Sequence, residues 1–118
     1  MDMPSVLIVD DSDQMRRMIR SIIEPVADPI YECPDGADAL AACMLHQPDC
    51  VLMDVEMPIT DGISATRQIV AVLPSTPIFI VTHYDDKRLR LAAERAGASG
   101  YVLKENLLAL RPLLEALM

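Results

Sequence analysis

Five polar residues stand directly after short apolar runs at four separate places in the chain. They are Asp10, Asp11, Asp54, Thr82 and Lys104. If each apolar run is a buried strand, then each of these strands ends by presenting a polar side chain. Carboxylates with a hydroxyl and an amine are the groups that bind a hard metal ion and a phosphoryl group.

The chemistry available to such a set follows from its charges. Three crowded carboxylates repel each other, and at least one keeps its proton unless a cation neutralises the cluster. Mg²⁺ suits this role because it prefers oxygen ligands and retains waters that a phosphate can displace. One carboxylate can then attack phosphorus and form an acyl phosphate. Lys104 would pair with the phosphoryl oxygens and the Thr82 hydroxyl could donate to one of them, which predicts a metal-assisted phosphoryl acceptor.

Each residue also has an ordinary interpretation when it is taken alone. An Asp after a strand is more often a helix cap, and Asp10 or Asp11 could serve as one beside Ser12. A Thr at a strand end is usually a cap as well, and a single Lys is usually solvated. The prediction of a site therefore depends on the conjunction of these residues, in order, at successive strand ends.

The elements that must position these residues alternate along the chain. Apolar runs at 6–9, 50–53, 77–81 and 100–103 predict strands covered on both faces, and the more polar run at 30–33 predicts an edge strand. A helical pattern follows each strand, and this alternation predicts βαβ units and a parallel sheet. The carboxyl ends of parallel strands share one edge of the sheet, where ligands bind at the point of reversed strand order. The polar residues are therefore expected to meet there.

Two helices carry specific expectations. The helix within "DGADALAACMLHQ" is predicted to turn one apolar face to the sheet, and His46 near its end is expected to face solvent. That face consists of Ala37, Leu40, Ala41, Met44 and Leu45. The final stretch "NLLALRPLLEALM" predicts one helix in which Pro112 starts or kinks a turn. Its leucines exceed one narrow stripe, so some of them are candidates for a dimer contact.

Length, charge and cysteine content narrow the class of protein. The 118 residues fit one domain, 1–118, and the net charge of −8 argues against binding to a nucleic-acid backbone. No apolar run approaches the roughly 18–20 residues of a membrane span, and the N-terminus lacks the basic region of a secretion signal, so a cytoplasmic protein is expected. Cys33, Cys43 and Cys50 lack the spacing of a zinc site and are expected to be buried reduced thiols.

With these residues placed, the chain resembles a response-regulator receiver domain of the CheY-like family from end to end. The matching motifs are "LIVDDS", "ECPDGADAL", "VLMDVEMPITDG", "IFIVT" and "GASGYVLK". The resemblance implies an α/β, flavodoxin-like fold. This fold is a (βα)5 three-layer sandwich around a five-stranded parallel sheet of order 2-1-3-4-5. It also implies phosphorylation-controlled signalling within a two-component system.

The resemblance assigns roles to individual residues. Asp54 would accept a phosphoryl group from a phosphohistidine of a sensor kinase. Mg²⁺ would be bound directly by Asp11 and Asp54 and by the backbone carbonyl of Glu56, with Asp10 helping through a water molecule.

A second set of implied roles concerns the response to phosphorylation. Thr82 and Lys104 would contact the phosphoryl group, and Tyr101 would be a switch that turns inward when Thr82 moves toward it. The surface that changes would be the fourth helix, fifth strand and fifth helix. The chain departs from the common pattern at His83, where the family usually has a small residue, and at Glu105, where Pro is frequent. The bulk of His83 could restrict access of water to the phosphate, or His83 could be a surface residue with no such part.

Several functional interpretations remain open at this point. The expected partners are a sensor histidine kinase or phosphotransfer protein and a downstream effector or an output domain outside this segment. A homodimer through the fourth helix, fifth strand and fifth helix is a further candidate, whereas no contact with nucleic acid or membrane is expected. The chain could be the excised receiver of a LuxR/NarL-type transcriptional regulator. An Mg²⁺-dependent aspartyl phosphohydrolase is disfavoured because such enzymes have a D-x-D motif after the first strand, whereas this chain has two adjacent aspartates there. The protein is therefore expected to catalyse only its own phosphorylation and dephosphorylation.

Overall fold

A parallel five-stranded sheet forms the centre of the protein. A computed structural model describes residues 2–57 and 60–118. The strands are β1 (Val6–Val9), β2 (Ile30–Cys33), β3 (Cys50–Asp54), β4 (Ile78–Thr82) and β5 (Gly100–Leu103). Every neighbouring pair is parallel, and the order is β2-β1-β3-β4-β5. The predicted strand order is confirmed.

Helices connect the strands and complete the α/β arrangement. They are α1 (Asp13–Ile23), α2 (Ala39–His46), α3 (Gly62–Val72), α4 (Lys87–Ala96) and α5 (Leu110–Glu115), with a 3-10 helix (Lys104–Ala109) before α5. Two apolar clusters cover the two faces of the sheet. One contains residues of α2, α3 and α4, and the other contains residues of α1, the 3-10 helix and α5. The predicted three-layer sandwich is therefore confirmed.

Local signals in the sequence set several helix ends. Ser12 caps α1 by accepting a hydrogen bond from the Met15 amide, and Asp61 caps α3 by accepting one from the Ser64 amide. Gly97 ends α4 at a φ of 102°, a left-handed conformation that glycine adopts without steric cost. These ends fix where the chain leaves and re-enters the sheet edge that carries the polar residues.

The predicted apolar face of α2 is wrong. The helix buries Ala39 and Cys43, while Met44 and Leu45 are 55% and 77% exposed. His46 was expected to face solvent, yet it is half-buried and its ring stacks on the Tyr31 ring at a centroid distance of 3.9 Å. Almost every residue of this short helix is apolar, so hydrophobic periodicity could not indicate which side would face the sheet.

One expectation at the end of the chain also needs correction. The predicted single last helix is instead a 3-10 helix followed by α5, and Pro112 stands in the first turn of α5. Backbone N–H groups there have no intrahelical acceptor, so Pro is tolerated and the prediction that it starts a turn is confirmed. β5 is an edge strand, yet helices cover both of its faces as expected, because Tyr101 packs against the cluster of α2, α3 and α4 while Val102 belongs to the other cluster. The leucines Leu107, Leu110 and Leu114 pack into the core, and Leu108 is exposed.

The three cysteines match their prediction. Cys33, Cys43 and Cys50 are buried free thiols that belong to the apolar clusters. Burial raises the pKa of Cys43 to about 11 and that of Cys50 to about 12, with smaller contributions from Cys33 and Asp49 respectively. They therefore act as small apolar side chains.

Candidate functional site

The carboxylates predicted to meet do lie together at the carboxyl edge of the sheet. Strands β1 and β3 are neighbours in a register that pairs Val9 with Met53, so the residues that follow, Asp10 and Asp54, lie side by side. Asp10 is 1% exposed and Asp54 is 5% exposed, whereas Asp11 is exposed. Each of the three offers a carboxylate oxygen, and these oxygens lie within 4.8 Å of one another.

Lys104 reaches this cluster from the end of β5. Its Nζ donates a hydrogen bond to Asp54 Oδ1 at 3.0 Å and lies 3.1 Å from Asp10 Oδ2. Burial alone would lower the pKa of Lys104, but the charges of Asp54 and Asp10 outweigh it and the pKa is raised. The amine is therefore a stable cation between two carboxylates.

The pKa of Asp54 is raised despite this ion pair. Burial is the largest cause that raises the pKa of Asp54, and the charge of Asp10 raises it further. The charge and hydrogen bond of Lys104 act in the opposite direction without cancelling the rise. An additional cation at this position would relieve the repulsion among the carboxylates.

Thr82 completes the row of strand-end residues. It is 1% exposed and is the last residue of β4, one position beyond Val81, which pairs with Asp54. Its Oγ1 accepts a hydrogen bond from the Tyr84 amide at 3.3 Å. A hydroxyl donates one proton as well as accepting, so Thr82 keeps a donor for a ligand beside Asp54.

The donor set fits a divalent cation. Asp10 Oδ2 is buried, and its one cationic neighbour among the described residues is the Lys104 amine, 3.1 Å away, which Asp54 shares. A buried carboxylate oxygen without a donor is costly unless a cation or water satisfies it. Three carboxylates at the mouth of a sheet offer the oxygen ligands that Mg²⁺ prefers.

Two side-chain contacts border the site on the side of β4 and β5. His83 Nδ1 lies 3.1 Å from Glu105 Oε1, which joins the residue after Thr82 to the residue after Lys104. Glu56 lies in the loop after β3 and is exposed, and its carboxylate raises the pKa of Tyr84. His83 and Glu105, the two positions at which the chain departs from the family pattern, therefore contact each other. The sequence did not predict this contact because the two residues are far apart in the chain.

Tyr101, the predicted switch, is half-buried on β5. Its Oη donates a hydrogen bond to the Tyr84 carbonyl at 2.5 Å, and the Arg90 guanidinium lies 4.3 Å from its ring centroid. Arg90 also pairs with Asp85 at 3.0 Å. Tyr101 therefore connects β5 to the loop that follows Thr82 and to α4.

The loop after β3 is packed closely against Asp54. A Cβ on Gly62 would lie 1.9 Å from the Asp54 carbonyl oxygen, so only glycine fits at this first residue of α3. Pro58 and Ile59 of the "MPITDG" motif lie outside the described residues. Among the helices that are described, none combines the length and apolar character needed to cross a bilayer.

Known proteins share both the sequence and the fold of this chain. The profile of the response regulator receiver domain matches residues 6–117. The transcriptional regulatory protein YxjL of Bacillus subtilis is 38% identical over 104 residues, which are 86% of this chain and 48% of YxjL. The chain therefore spans about half the length of this curated relative.

Two solved structures extend the comparison. The chemotaxis protein CheY4 of Vibrio cholerae superposes with a TM-score of 0.88 at 26% identity, over 99% of this chain and 100% of that chain. A LuxR-family two-component response regulator from Aurantimonas superposes with a TM-score of 0.83 at 30% identity, over 98% and 96%. The strand order and these matches agree, and the chain belongs to the response regulator receiver domain family of two-component signalling.

Proposed function

We propose that Asp54 accepts a phosphoryl group from a phosphohistidine of a sensor histidine kinase or phosphotransfer protein, with Mg²⁺ as cofactor. The observation that carries this proposal is the contact of 3.0 Å between Lys104 Nζ and Asp54 Oδ1, beside two further carboxylates. An isolated surface Asp would be solvated and would have no fixed cation. Here the acceptor, a counter-charge and a candidate metal site converge at one edge of the sheet.

The transfer itself needs few groups. An oxygen of Asp54 attacks phosphorus, the bond from phosphorus to the histidine nitrogen breaks, and an acyl phosphate forms on Asp54. The leaving imidazole belongs to the donor protein and takes a proton there. Lys104 already lies beside the attacking carboxylate and pairs with a phosphoryl oxygen in the product. Thr82 donates its hydroxyl proton to another.

The metal ligands proposed are those of the acidic cluster. Asp11 and Asp54 bind Mg²⁺ directly, Glu56 contributes its backbone carbonyl, and Asp10 acts through a water molecule. The bound ion supplies positive charge that neutralises the carboxylates and the incoming phosphoryl oxygens. The buried Asp10 Oδ2 supports this assignment because it shares the Lys104 amine with Asp54 and keeps room for a donor such as a metal-bound water.

The proposed output is a change of surface. A phosphoryl group adds about −1.5 to −2 charges and new acceptors, which draw Thr82 toward Asp54 and pair with Lys104, already beside it. Since Thr82 is two residues from Tyr84, whose carbonyl holds Tyr101, a movement of Thr82 reaches the switch residue directly. The surface formed by α4, β5 and α5 is then the one that partners distinguish, and it is also the candidate homodimer contact.

The first test is the mass of the intact protein after incubation with acetyl phosphate and Mg²⁺. The parent protein should gain one phosphoryl group, and Asp54→Asn should gain none. Omitting Mg²⁺ or adding EDTA should abolish the gain in the parent. A gain in Asp54→Asn of equal size would assign the acceptor elsewhere, and no gain in the parent with Mg²⁺ bound would overturn the proposal.

A second candidate function concerns the kind of output that this receiver controls. The match to half of YxjL and to a LuxR-family regulator favours the receiver of a LuxR/NarL-type transcriptional regulator. In that case the effector is a DNA-binding domain outside residues 1–118, and this acidic segment makes no direct contact with nucleic acid. The similarity to CheY4, a chemotaxis protein, leaves a separate effector protein as the alternative. Either form is proposed to act in the cytoplasm and away from the membrane.

Turnover of a phosphate ester distinguishes the proposed receiver function from that of an aspartyl phosphohydrolase. An aspartyl phosphohydrolase would release phosphate from p-nitrophenyl phosphate continuously, whereas a receiver transfers a phosphoryl group only to and from its own Asp54. Multiple turnovers that disappear in Asp54→Asn would support the phosphohydrolase. Incorporation of a single phosphoryl group without turnover of the ester would support the receiver.

A further inference from the structure

The loop that carries Asp10 and Asp11 is held by an arginine on the adjoining helix. Arg16, in α1, is only 12% exposed in its side chain. Its Nη1 donates to the Asp10 carbonyl oxygen at 2.5 Å, and its Nε donates to Glu32 Oε1 at 3.0 Å. Its Nη2 contacts the carboxylate of Asp13. One guanidinium therefore joins the start of α1, the edge strand β2 and the acidic loop.

The contact with the Asp10 carbonyl acts on Asp11 as well. That carbonyl belongs to the peptide unit between Asp10 and Asp11, which is planar, so fixing its oxygen orients the amide of Asp11. The other side of Asp10 is fixed too, because its amide donates to the Cys33 carbonyl at 3.1 Å and its Oδ1 accepts from the Ser12 amide. Asp11 is exposed, so its direction depends on this backbone rather than on packing.

We propose that Arg16 is a positioning residue for the metal site, holding the peptide between Asp10 and Asp11 so that both carboxylates face Asp54. This inference rests on the proposed function, since it assumes that the acidic cluster binds Mg²⁺. Groups that orient metal ligands through hydrogen bonds typically change metal affinity by roughly 10–100-fold when they are removed. Arg16 has no direct contact with the metal in this assignment.

The positive charge of Arg16 and its hydrogen bond to the Asp10 carbonyl predict opposite effects on Mg²⁺ affinity. A guanidinium beside a carboxylate cluster repels a divalent cation, so removing the charge alone would strengthen Mg²⁺ binding. Loss of the hydrogen bond to Asp10 would weaken Mg²⁺ binding because the ligands are no longer oriented. The direction of the change in affinity therefore separates the two roles.

The chain offers a matched control in Arg20. Its Nε donates to the other oxygen of Glu32 at 2.9 Å and its Nη2 donates to the Ile30 carbonyl at 3.1 Å. Arg20→Ala thus disturbs the same contact between α1 and β2 without removing the hydrogen bond to Asp10. Arg16→Lys keeps the charge, but an ammonium cannot span three acceptors as the planar guanidinium does.

The experiment measures Mg²⁺ affinity by isothermal titration in the parent, Arg16→Ala, Arg16→Lys and Arg20→Ala, with urea unfolding to confirm that each variant is folded. Mg²⁺ binding should weaken about tenfold in both Arg16 variants and change less than about twofold in Arg20→Ala. If Arg16→Ala does not fold, the Mg²⁺ affinity of Arg16→Lys provides the test. This variant retains a cation for Asp13 and Glu32.

The other outcomes are distinct. Unchanged or tighter Mg²⁺ binding in the Arg16 variants, with normal binding in the parent, would overturn the positioning role and leave the proposed function intact. Equal weakening in Arg20→Ala would assign the effect to the contact between helix and strand and would overturn it too. A parent protein that binds no Mg²⁺ would overturn the metal site and this inference together.

Discussion

Lys104 and Asp54 form an ion pair 3.0 Å long between residues that are 50 positions apart in the chain. The Lys104 side chain is 8% exposed and the Asp54 side chain 6%. Removing two charges from water is costly, and their mutual attraction rarely exceeds that cost by much. Such a pair is a poor device for stability alone, which is consistent with its retention for chemistry at Asp54.

Replacing Lys104 with Met should destabilise the protein in the absence of Mg²⁺. The change leaves Asp10 and Asp54 buried without their cation, a loss that typically costs about 3–5 kcal/mol. Added Mg²⁺ should restore more stability to Lys104→Met than to the parent, because it replaces the missing charge. Urea unfolding with and without Mg²⁺ measures both effects. Lys87→Met changes the exposed lysine and is the matched control; equal stability of the two variants would contradict the prediction.

Gly62→Ala should disturb the loop that follows Asp54. The added Cβ would lie 1.9 Å from the Asp54 carbonyl oxygen and 2.9 Å from the Val55 Cα, and neither backbone atom can move freely. Overpacking of this kind costs about 1–3 kcal/mol or more, and we expect the upper end together with slower phosphorylation of Asp54. Gly100→Ala is the comparison, because its Cβ would meet a side chain, the Phe79 ring at 2.8 Å, and not the backbone. Urea midpoints and phosphorylation rates that rank the two variants in the reverse order would contradict this.

Much of the site could be predicted from the sequence because parallel strands place their carboxyl ends together. Two apolar runs identified as strands of a parallel sheet are enough to place Asp54 and Thr82 on the same edge of that sheet. Contacts between side chains from different elements could not be predicted in that way. Arg16 meets Glu32 sixteen positions away, and the pairing depends on how α1 lies beside β2.

The errors in α2 have a related cause. A helix of mixed apolar and polar residues reveals its buried side, but in "ALAACMLH" nearly every residue is apolar. The burial of Cys43 and the exposure of Leu45 are decided by how the helix packs on the sheet. The stack of His46 on Tyr31 likewise follows from the packing of α2 beside the edge strand β2. Neither the buried side of α2 nor this stack could be predicted from the spacing of apolar residues along the helix.

The buried thiols should be inert in the folded protein. Burial raises the pKa of Cys43 to about 11 and of Cys50 to about 12, above the usual 9.0, so the reactive thiolate is scarce at pH 8. Alkylation by iodoacetamide should proceed only as fast as unfolding, and all three cysteines should react in denaturing urea. Rapid labelling of the folded protein at pH 8 would contradict the burial of these side chains.

The same raised pKa values predict a loss of stability at alkaline pH. Above pH 9 the unfolded chain releases thiol protons that the folded chain still holds, so the unfolded state is favoured. The contribution of these thiols is thus complete below about pH 9 and is lost as pH rises toward about 11 and 12. Cys50→Ala should show a smaller decline in unfolding free energy over this range than the parent. A parallel decline in both proteins would assign the effect to other groups.

His83→Ala should shorten the lifetime of the phosphorylated state. His83 Nδ1 lies 3.1 Å from Glu105 Oε1, and this contact joins the loops after β4 and β5 on the side of the proposed acceptor, Asp54. A smaller side chain would open the site to the water that attacks the acyl phosphate, so its decay after removal of acetyl phosphate should be several-fold faster, as followed by intact mass. Glu105→Gln preserves the size of the partner and should leave the decay nearly unchanged if bulk is what matters. Equal lifetimes in the parent and His83→Ala would make His83 a surface residue with no part in dephosphorylation. Faster decay in Glu105→Gln would show that the contact between His83 and Glu105, and not the ring alone, excludes water.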